Sequence, residues 1–509
     1  MNNKPLSYSL VALALISATS QAQAAGFKLF EQSTSAMGNA YAGRGAQLTD
    51  ASVGYTNPAA LIKLEKSQFS AGLNLVNVDG KFTNASATSA KGLPVSGKGS
   101  DSLGGISAIP HFHYVNQIND QFAVGFSVAV PFGTSSEYEN DFVGRYFAQQ
   151  TEFQILAFQP SVSYQLNDKL SIGGAIALNY ASGTLSKYKD HSSLCEIGAG
   201  INPSYSMLSG GAFSDVAQSA YCDSLYEVSG DDIQPSYTLG LHYQVNDNIN
   251  LALSYHSAVN YTLEGDSTIN NTPITGEFVP YTQHPEQYWI APTIPEMGVY
   301  GAKMPVVDLT TGKLAVSPAK TERSSLGLDT PQSLILSVDS KINDALSLQF
   351  SGTWTQWSKF TDISVLSEDT TPSISASTSQ PQNLNKAGYI GYIPEYWSDV
   401  WAFALGATYQ LDTHWTLKSG IARDFSPVNP DYRSARIPAN NRTWLTAGAN
   451  YLSDNKWSID FAGGLMFMEE TSVIDHEYNA QGQKIYNSSY QADYDINAYV
   501  VSIQFNYPL

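Results

Sequence analysis

Residues 170–180 read LSIGGAIALNY, and the pattern of this stretch decides the fold class. The even positions carry leucine, isoleucine, tyrosine and one glycine, whereas the odd positions carry serine, glycine, alanine and asparagine. Large apolar side chains that alternate with small or polar ones predict a β-strand with one apolar face. The same alternation recurs at residues 346–351 and 457–467, and it extends from Tyr499 to Leu509 at the end of the chain. The sequence therefore predicts an all-β protein.

The composition indicates where these apolar faces lie. Only 14% of the residues are charged, compared with about 25% in typical soluble domains. In a transmembrane β-barrel the apolar strand faces contact lipid, and aromatic residues collect at the two membrane interfaces. The net charge of −19 argues against a nucleic acid as a partner, because phosphate backbones are bound by basic surfaces. Alternation alone would also fit a soluble β-sandwich, so the export signal and the turns must separate these classes.

The first 24 residues are predicted to be a signal peptide. A short apolar core covers residues 10–16, and Ala22-Gln23-Ala24 supplies the small-x-small cleavage pattern. We expect the mature chain to begin at Ala25. The core is too short to cross a bilayer, which requires about 20 apolar residues. The pattern therefore predicts an exported protein.

A short turn recurs along the chain and sets the number of strands. Its six copies are Ile118-Asn119-Asp120, Leu166-Asn167-Asp168, Val245-Asn246-Asp247, Ile342-Asn343-Asp344, Leu411-Asp412-Thr413 and Leu452-Ser453-Asp454. Asn and Asp favour tight turns because their side chains bond the local backbone. If both termini lie in the periplasm, six short turns separate seven hairpins, which gives fourteen antiparallel strands. Outer-membrane barrels have this asymmetry of short turns on one side and long loops on the other.

Two predicted loops are long, at about residues 189–233 and 266–323. The first contains Cys195 and Cys222, which in an exported protein predict a disulfide that closes the loop. The second is rich in proline, which prevents regular strand pairing. No Cys/His spacing indicates a metal site, and we expect no cofactor.

The N-terminal residues 25–64 lack sustained alternation, so their composition alone would predict a flexible tail. They nevertheless carry a spaced pattern that consists of Phe27, Gly38, Tyr41, Gly43, Gly45, Asp50, Asn57, Pro58 and Ala59. With this pattern, Pro131-Phe132-Gly133 and Trp357-Ser358-Lys359-Phe360, the sequence resembles the FadL-type long-chain fatty acid transporters of Gram-negative outer membranes. The resemblance extends over nearly all of the chain after residue 24, while the loops diverge.

The resemblance implies a fourteen-stranded barrel at residues 67–509, in agreement with the turn count, and a small hatch at residues 25–66 that plugs its lumen. It implies a passive transporter for long-chain fatty acids or other hydrophobic small molecules. Ligand would be captured by the long loops, passed to a lumen site near the N-terminus and released laterally through a kinked third strand. The implied surroundings are outer-membrane lipid and lipopolysaccharide. The implied assembly is a monomer, inserted by the barrel-assembly machinery, which reads an amphipathic last strand.

The resemblance also suggests individual ligand-binding residues. Phe27 matches an aromatic residue that approaches bound ligand, and Lys187 with Tyr188 matches a basic-aromatic pair that faces its polar head. Lys187 would equally fit a solvated residue at a strand end. Ser364 replaces a second basic residue of the family, which weakens the expected carboxylate clamp. Lys359 is near Ser364 but, on a strand, would face the opposite side.

Pro131, Phe132 and Gly133 are expected to produce the kink, because proline removes a backbone donor and glycine adds conformational freedom. The other interpretation is an ordinary strand end.

Other functions were weighed against fatty acid transport. The serious alternative is uptake of aromatic hydrocarbons or other hydrophobic xenobiotics, which the loss of a basic residue at Ser364 favours. A general porin would lack a hatch. An outer-membrane hydrolase is disfavoured because the sequence has no Gly-x-Ser-x-Gly or His-Glu-x-x-His motif, and we predict no catalytic residues. An adhesin or phage-receptor role would be compatible with any barrel that exposes loops.

Overall fold

The computed structural model describes residues 26–89, 92–190, 223–269, 320–368, 389–478 and 483–509, together with four short strands between residues 288 and 314. The predicted signal peptide, both cysteines and most of each long loop lie outside the described residues.

The described chain is almost entirely β-structure. Its helical elements are α1 (Thr34–Met37), α2 (Val53–Thr56) and the 3₁₀ helices Pro58–Lys63, Trp357–Lys359 and Pro430–Tyr432. Its strands are β1 (Gln68–Thr88), β2 (Asp101–Asn119), β3 (Phe122–Glu137), β4 (Gln150–Gln165), β5 (Leu170–Asp190), β6 (Asp223–Asn246), β7 (Ile249–His256), β8 (Val259–Ile269), β9 (Tyr288–Ile290), β10 (Lys303–Pro305), β11 (Val307–Asp308), β12 (Lys313–Leu314), β13 (Lys320–Thr330), β14 (Ser333–Lys341), β15 (Leu346–Thr355), β16 (Asp362–Ser367), β17 (Tyr389–Pro394), β18 (Val400–Gln410), β19 (Trp415–Asp424), β20 (Arg442–Leu452), β21 (Ser458–Met468), β22 (Thr471–Tyr478) and β23 (Lys484–Pro508).

These strands form a closed antiparallel barrel. β1 pairs with β2 on one side and with the last strand, β23, on the other, so the sheet closes on itself. Five wall strands consist of two pieces each, namely β7–β8, β13–β14, β15–β16, β17–β18 and β21–β22. Counted in this way, the described wall contains fourteen strands, and the predicted fold class is confirmed.

The six predicted turns join β2 to β3, β4 to β5, β6 to β7, β14 to β15, β18 to β19 and β20 to β21. Their chemistry is the one expected from sequence. Asn167 Oδ1 accepts hydrogen bonds from Lys169 N (3.0 Å) and Leu170 N (2.9 Å), and Asp412 Oδ1 accepts one from Trp415 N (2.8 Å). Because these turns lie at one end of the barrel, the long connections lie at the other. We call the two ends the short-turn end and the long-loop end.

The outer face of the barrel is apolar. In β5, Ile176 is 68% exposed whereas its neighbour Ala177 is 3% exposed, and the same alternation continues along the strand. Leucine, isoleucine, phenylalanine and tyrosine side chains cover the outside of most wall strands. Such a surface is suited to lipid rather than to water. Among the described residues, no helix is long and apolar enough to cross a bilayer.

The N-terminal segment, defined here as Gly26–Lys66, lies inside the ring of strands. Nearly all of its residues are buried. Its hydrogen bonds reach strands all round the ring: Asn57 Nδ2 donates to Leu241 O (3.1 Å) on β6, Gly45 N to Ser337 Oγ (3.2 Å) on β14, and Thr34 N to Gln504 Oε1 (3.1 Å) on β23. The segment therefore contacts the wall on several sides of the lumen.

Glycines in the wall allow the N-terminal segment to approach the strands. A Cβ atom at Gly173 of β5 would lie 2.3 Å from Ala59 N, and one at Gly420 of β19 would lie 2.3 Å from Asn39 C. Both contacts are with backbone atoms, which cannot move aside without shifting the segment. Gly174, next to Gly173, faces the other way, and its nearest atom would be 3.9 Å from a Cβ.

The neighbouring glycines provide a matched test of this packing. We expect Gly173→Ala to displace the 3₁₀ helix Pro58–Lys63 while the barrel still forms, and Gly174→Ala to have no effect. Overpacking costs about 1–3 kcal/mol, so amide hydrogen exchange in residues 57–63 should accelerate by about tenfold or more in Gly173→Ala. Equal exchange rates in the two variants would contradict the proposed close contact.

Candidate ligand site

Phe27 is the centre of an aromatic cluster at the start of the N-terminal segment. Its side chain is fully buried. The ring contacts Phe132, Phe153, Trp357, Phe360 and Trp397, with centroid distances of 5.9, 6.3, 5.0, 5.2 and 5.8 Å. We call these six residues the aromatic cluster. The cluster forms an apolar environment in which an acyl chain or an aromatic ring could replace the Phe27 ring.

Local structure holds the cluster in place. Gly26 has φ +64°, and a Cβ atom there would lie 2.3 Å from Trp397 Cζ3, so glycine is required before Phe27. Trp397 Nε1 donates to Glu395 Oε2 at 2.6 Å. The 3₁₀ helix that begins at Trp357 is held by a bond from Ser358 N to Asp399 Oδ1 (3.0 Å). Each indole is thus fixed by a polar contact or by backbone geometry.

The wall is interrupted next to the aromatic cluster. Pairing between β2 and β3 ends at Phe112 and Val128, although both strands continue towards the long-loop end, and the remaining part of β2 pairs with β1. We call this unpaired region the wall gap. The register between β3 and β4 also shifts between Ala129 and Phe132. The predicted Pro131-Phe132-Gly133 kink coincides with this shift, and because β3 continues to Glu137, these residues do not lie at a strand end.

The N-terminal segment covers the exposed edge of β3 at the wall gap. Leu29 N donates to Pro131 O (2.9 Å), and Gly133 N donates to Phe27 O (2.8 Å). Lys28 stands opposite Phe132 in the resulting bridge. The backbone of residues 27–29 therefore provides β3 with partners that β2 does not provide.

A cavity of about 70 Å³ lies between the N-terminal segment and the wall, beside the kink. Leu29, Phe132 and Tyr261 contribute apolar surface to its lining, and Lys28 and Arg44 contribute cations. Lys28 Nζ donates to Thr355 Oγ1 at 3.4 Å, and Arg44 Nη2 donates to Thr353 Oγ1 at 3.0 Å.

A second, smaller cavity of about 30 Å³ lies on the other side of Arg44. Its lining is mainly apolar and includes Phe30, Tyr41, Phe403 and Trp444. Arg44 also stacks on Phe30, with its guanidinium carbon 4.8 Å from the ring centroid. The arginine therefore separates two spaces within the lumen.

The predicted hatch residues form the framework of the N-terminal segment. Gly43 has φ +71°, and its N–H donates to Ser351 Oγ (2.9 Å) on β15. Asn57 Nδ2 also donates to Gly45 O (2.9 Å), and Asn57 Oδ1 accepts from Ala59 N (3.2 Å) at the start of the helix that begins at Pro58. Tyr41 has φ +62°. Gly38 lies close to β20, because a Cβ atom built on Gly38 would be 3.3 Å from the Gly448 Cα atom. The motif thus positions the segment rather than lining the first cavity.

Asp50 of the same motif organises a buried polar cluster. Its carboxylate accepts hydrogen bonds from Ser35 Oγ and from Ser52 N (2.9 Å). Burial alone would raise the pKa of Asp50, but the hydrogen bonds from Ser35 and Ser52, together with the Lys418 cation, lower it. Asp50 is therefore an ionised structural anchor of the segment.

Lys187 and Tyr188 lie near the long-loop end of β5, and neither lines the two cavities described above. Lys187 Nζ forms an ion pair with Glu477 Oε1 at 2.8 Å, and Tyr188 Oη donates to Asn140 Oδ1 at 2.9 Å. The structure thus brings Phe27 together with the kink but leaves Lys187 apart from them. A contact between Lys187 and the ligand stays a prediction.

Two further sequence expectations concern the region after β15. Ser364 lies on β16, and its hydroxyl bonds Asp362. Lys359 was expected on a strand, and this was wrong, because Trp357, Ser358 and Lys359 form a 3₁₀ turn on which Lys359 is exposed.

Sequence reasoning missed several residues of the site. Phe153 and Trp397 belong to the aromatic cluster, but single aromatic residues carry no pattern that would distinguish them. Lys28 and Arg44 stand beside motif residues and could have been noticed as cations in a segment expected in the lumen. Among the described residues, no group of His, Cys, Asp or Glu could hold a metal ion.

Comparison with known proteins agrees with this geometry. The chain matches the family model "Outer membrane protein transport protein (OMPP1/FadL/TodX)" over residues 15–509. It is 27% identical over 507 residues to the long-chain fatty acid transport protein of Escherichia coli K12, covering 98% of this chain and 97% of the relative. It is 26% identical over 526 residues to outer membrane protein P1 of Haemophilus influenzae Rd, covering 99% and 100%.

Two solved structures share the fold. A Pseudomonas aeruginosa FadL homologue has a TM-score of 0.72 at 24% identity, covering 95% of this chain and 99% of that one. The Ralstonia pickettii toluene transporter TbuX has a TM-score of 0.57 at 18% identity, covering 94% and 98%. With a family model that matches nearly its whole length and a closed, apolar-faced barrel, this chain belongs to the outer membrane protein transport protein family (OMPP1/FadL/TodX) and is a protein of the outer membrane.

Proposed function

We propose that this protein carries long-chain fatty acids passively across the outer membrane. The observation that carries the proposal is the position of the aromatic cluster, inside the lumen and beside the wall gap. Curated relatives that match nearly the full length are long-chain fatty acid transport proteins. The proposed activity is transport and involves no chemical step.

The proposed route begins at the long loops and continues to the aromatic cluster. From there the ligand leaves through the wall gap into the bilayer. An acyl chain gains about 0.8 kcal/mol per CH₂ group on leaving water. A lateral exit keeps the chain in apolar surroundings, whereas an exit into the periplasm would return it to water.

We propose that the N-terminal segment acts as the hatch and that Phe27–Leu29 is its moving part. These residues are bonded to β3 by two backbone hydrogen bonds, each contributing about 1 kcal/mol. Ligand that displaces the Phe27 ring would weaken this attachment and expose the wall gap. The rest of the segment, held by Asp50 and Asn57, would stay in place.

We also propose that Lys187 and Tyr188 provide the first polar contact for the ligand, near the long-loop end. Lys187 is half-buried, and its partner Glu477 is comparably half-buried. A ligand carboxylate could exchange with Glu477 for this cation. Such an exchange would need little rearrangement of the wall.

The assembly is proposed to be a monomer surrounded by lipid and lipopolysaccharide. Apart from the wall gap, where Phe27–Leu29 bonds to β3, the closed barrel leaves no described sheet edge that requires a second subunit. The last strand, β23, has an outward face that includes Val501, Ile503 and Phe505. This amphipathic end fits recognition by the barrel-assembly machinery.

A neutral hydrocarbon such as toluene is the second candidate ligand. The observation that favours it is Ser364, whose hydroxyl bonds Asp362 and which supplies no cation. The aromatic cluster would accept either ligand. A transport experiment can therefore separate the two.

Uptake of radiolabelled oleate by cells that lack their own transporter tests the function. We expect uptake to rise when this protein is produced, because the apolar aromatic cluster lies in the lumen beside the wall gap. Toluene uptake measured in the same cells is the comparator. Faster toluene entry without faster oleate entry would reject the fatty acid and move the assignment to hydrocarbons.

Lys187→Ala tests the first polar contact in the same assay. We expect oleate uptake to fall by about two- to fivefold, in line with a partly exposed charge contact of about 0.4–1 kcal/mol, while toluene uptake stays unchanged. Lys81→Ala is the control, because Lys81 is exposed on β1 and pairs with Asp495 (3.1 Å). A Lys187→Ala variant that transports oleate normally would remove this residue from the route.

Straightening β3 tests the lateral exit. Pro131→Val combined with Gly133→Val restores a backbone donor and favours strand pairing, so β2 and β3 should pair further and oleate uptake should fall several-fold. Pro160→Val on the neighbouring strand β4 is the matched control, because Pro160 is exposed on the outer face. If the double variant is stably inserted and transports oleate at the normal rate, ligand does not leave through the wall gap.

A further inference from the structure

Lys28 and Arg44 are two cationic residues of the N-terminal segment inside the lumen. Neither forms a salt bridge with any residue that the structure describes. Arg44 is only 9% exposed, and its Nε atom has no hydrogen-bond partner among the described residues. Lys28 has one long hydrogen bond, to Thr355. Both side chains line the same cavity beside the kink.

Asp424 attracts both cations but forms an ion pair with neither. Asp424 Oδ2 accepts a bond from Arg442 Nη2 at 2.8 Å and is thereby committed to another arginine. Glu31 Oε2 accepts from Phe30 N (2.9 Å), and burial raises the pKa of Glu31, which favours its neutral form. The cavity therefore has an excess of positive charge.

Uncompensated charge of this kind is costly in a buried site. Removing a cation from water without a partner is strongly unfavourable. Accordingly, burial and the neighbouring Arg44 lower the pKa of Lys28 to about 7, and burial lowers the pKa of Arg44 to about 10. A structural role would have been served better by neutral side chains, so the pair points to an anionic ligand.

The remainder of the cavity suits the apolar part of such a ligand. Leu29, Phe132, Val259 and Ile335 line it, and Phe132 connects it with the aromatic cluster and the kink. One space thus offers cations and, beside polar groups, several apolar side chains. An amphiphile with a single carboxylate matches both.

We propose that Lys28 and Arg44 together bind the carboxylate of an acyl ligand in this cavity and so select carboxylates over neutral hydrophobic molecules. This inference rests on the proposed function and specifies its ligand class. Lys187 is paired with Glu477, and Ser364 is neutral, so neither provides a free cation inside the lumen. The two cations of the N-terminal segment provide that charge instead. Because Lys28 stands in the bridge to β3, binding of the carboxylate would act on the residues that cover the wall gap.

The experiment compares two ligands that differ only in the head group. Equilibrium binding of oleate and of oleyl alcohol is measured with the full-length protein in a non-ionic detergent. We expect Lys28→Met with Arg44→Met to weaken oleate binding by about tenfold or more and to leave oleyl alcohol binding unchanged. Lys28→Arg with Arg44→Lys should retain the preference, because both charges remain.

Lys63→Met is the matched control. Lys63 is a cation of the same segment, but it bonds Asp168 O (2.7 Å) at the short-turn end and lines neither cavity. The Lys63→Met variant should prefer oleate over oleyl alcohol to the same degree as the wild type. Should the double variant fail to insert, Lys28→Met alone provides the same comparison, since Lys28 makes a single weak hydrogen bond.

Each outcome decides between the interpretations. Equal losses for oleate and oleyl alcohol would mean that the two residues only shape the cavity, and unchanged oleate binding would mean that they do not meet the ligand. Both results would overturn the inference. If the wild type binds oleyl alcohol as tightly as oleate, the inference fails while the proposed transport of hydrophobic molecules stands. If the wild type binds neither ligand, the proposed function itself fails.

Discussion

Lipid offers no water to the backbone, so each N–H and C=O group of the wall needs a hydrogen-bond partner within the protein. The ring of strands satisfies this constraint by closing through β1, which pairs with both β2 and β23. The wall gap departs from it, because pairing between β2 and β3 ends at Phe112 and Val128. There the Phe27–Leu29 backbone provides β3 with partners. The candidate ligand site depends on this replacement, in which Phe27–Leu29 takes the place of β2 as the backbone partner of β3.

Because of this replacement, the proposed opening of the wall gap would cost little free energy. Detaching Phe27–Leu29 breaks two backbone bonds, each worth about 1 kcal/mol, and separates ring pairs worth about 0.5–1.5 kcal/mol each. The pairing of the other strands is untouched. A long acyl chain, at about 0.8 kcal/mol per buried CH₂, can compensate for such a loss, whereas one aromatic ring offers fewer contacts. The energetics therefore favour a chain-like ligand for displacing Phe27, in line with the proposed fatty acid.

The sequence predicted those features that local chemistry controls. The short turns were found because Asn167, Asp412 and their counterparts bond their own backbone, and the strand faces were found because alternation has a period of two. The wall glycines and the aromatic cluster could not be predicted in the same way. Gly173 is required by the backbone of Ala59, and Trp397 contacts a residue 370 positions earlier, Phe27. Such contacts are created by barrel closure, which brings distant positions together. Lys359 shows that alternation predicts side-chain orientation only where the strand is unbroken. The prediction for Lys359 assumed a strand, but a 3₁₀ turn interrupts the strand there.

Closure of the barrel also determines which charged side chains meet inside the lumen. The net charge of the chain is strongly negative, yet Lys28 and Arg44 beside the first cavity form no ion pair with any residue that the structure describes. Asp424 attracts both cations, but its ion pair is with Arg442 on the adjacent strand, at 2.8 Å. An acidic protein that holds two cations outside any ion pair with its described residues loses stability at that position. A carboxylate ligand would supply the opposite charge. The charge that costs stability would then be the charge that recognises a carboxylate, and it is carried by the N-terminal segment, which we propose to move away from the wall gap.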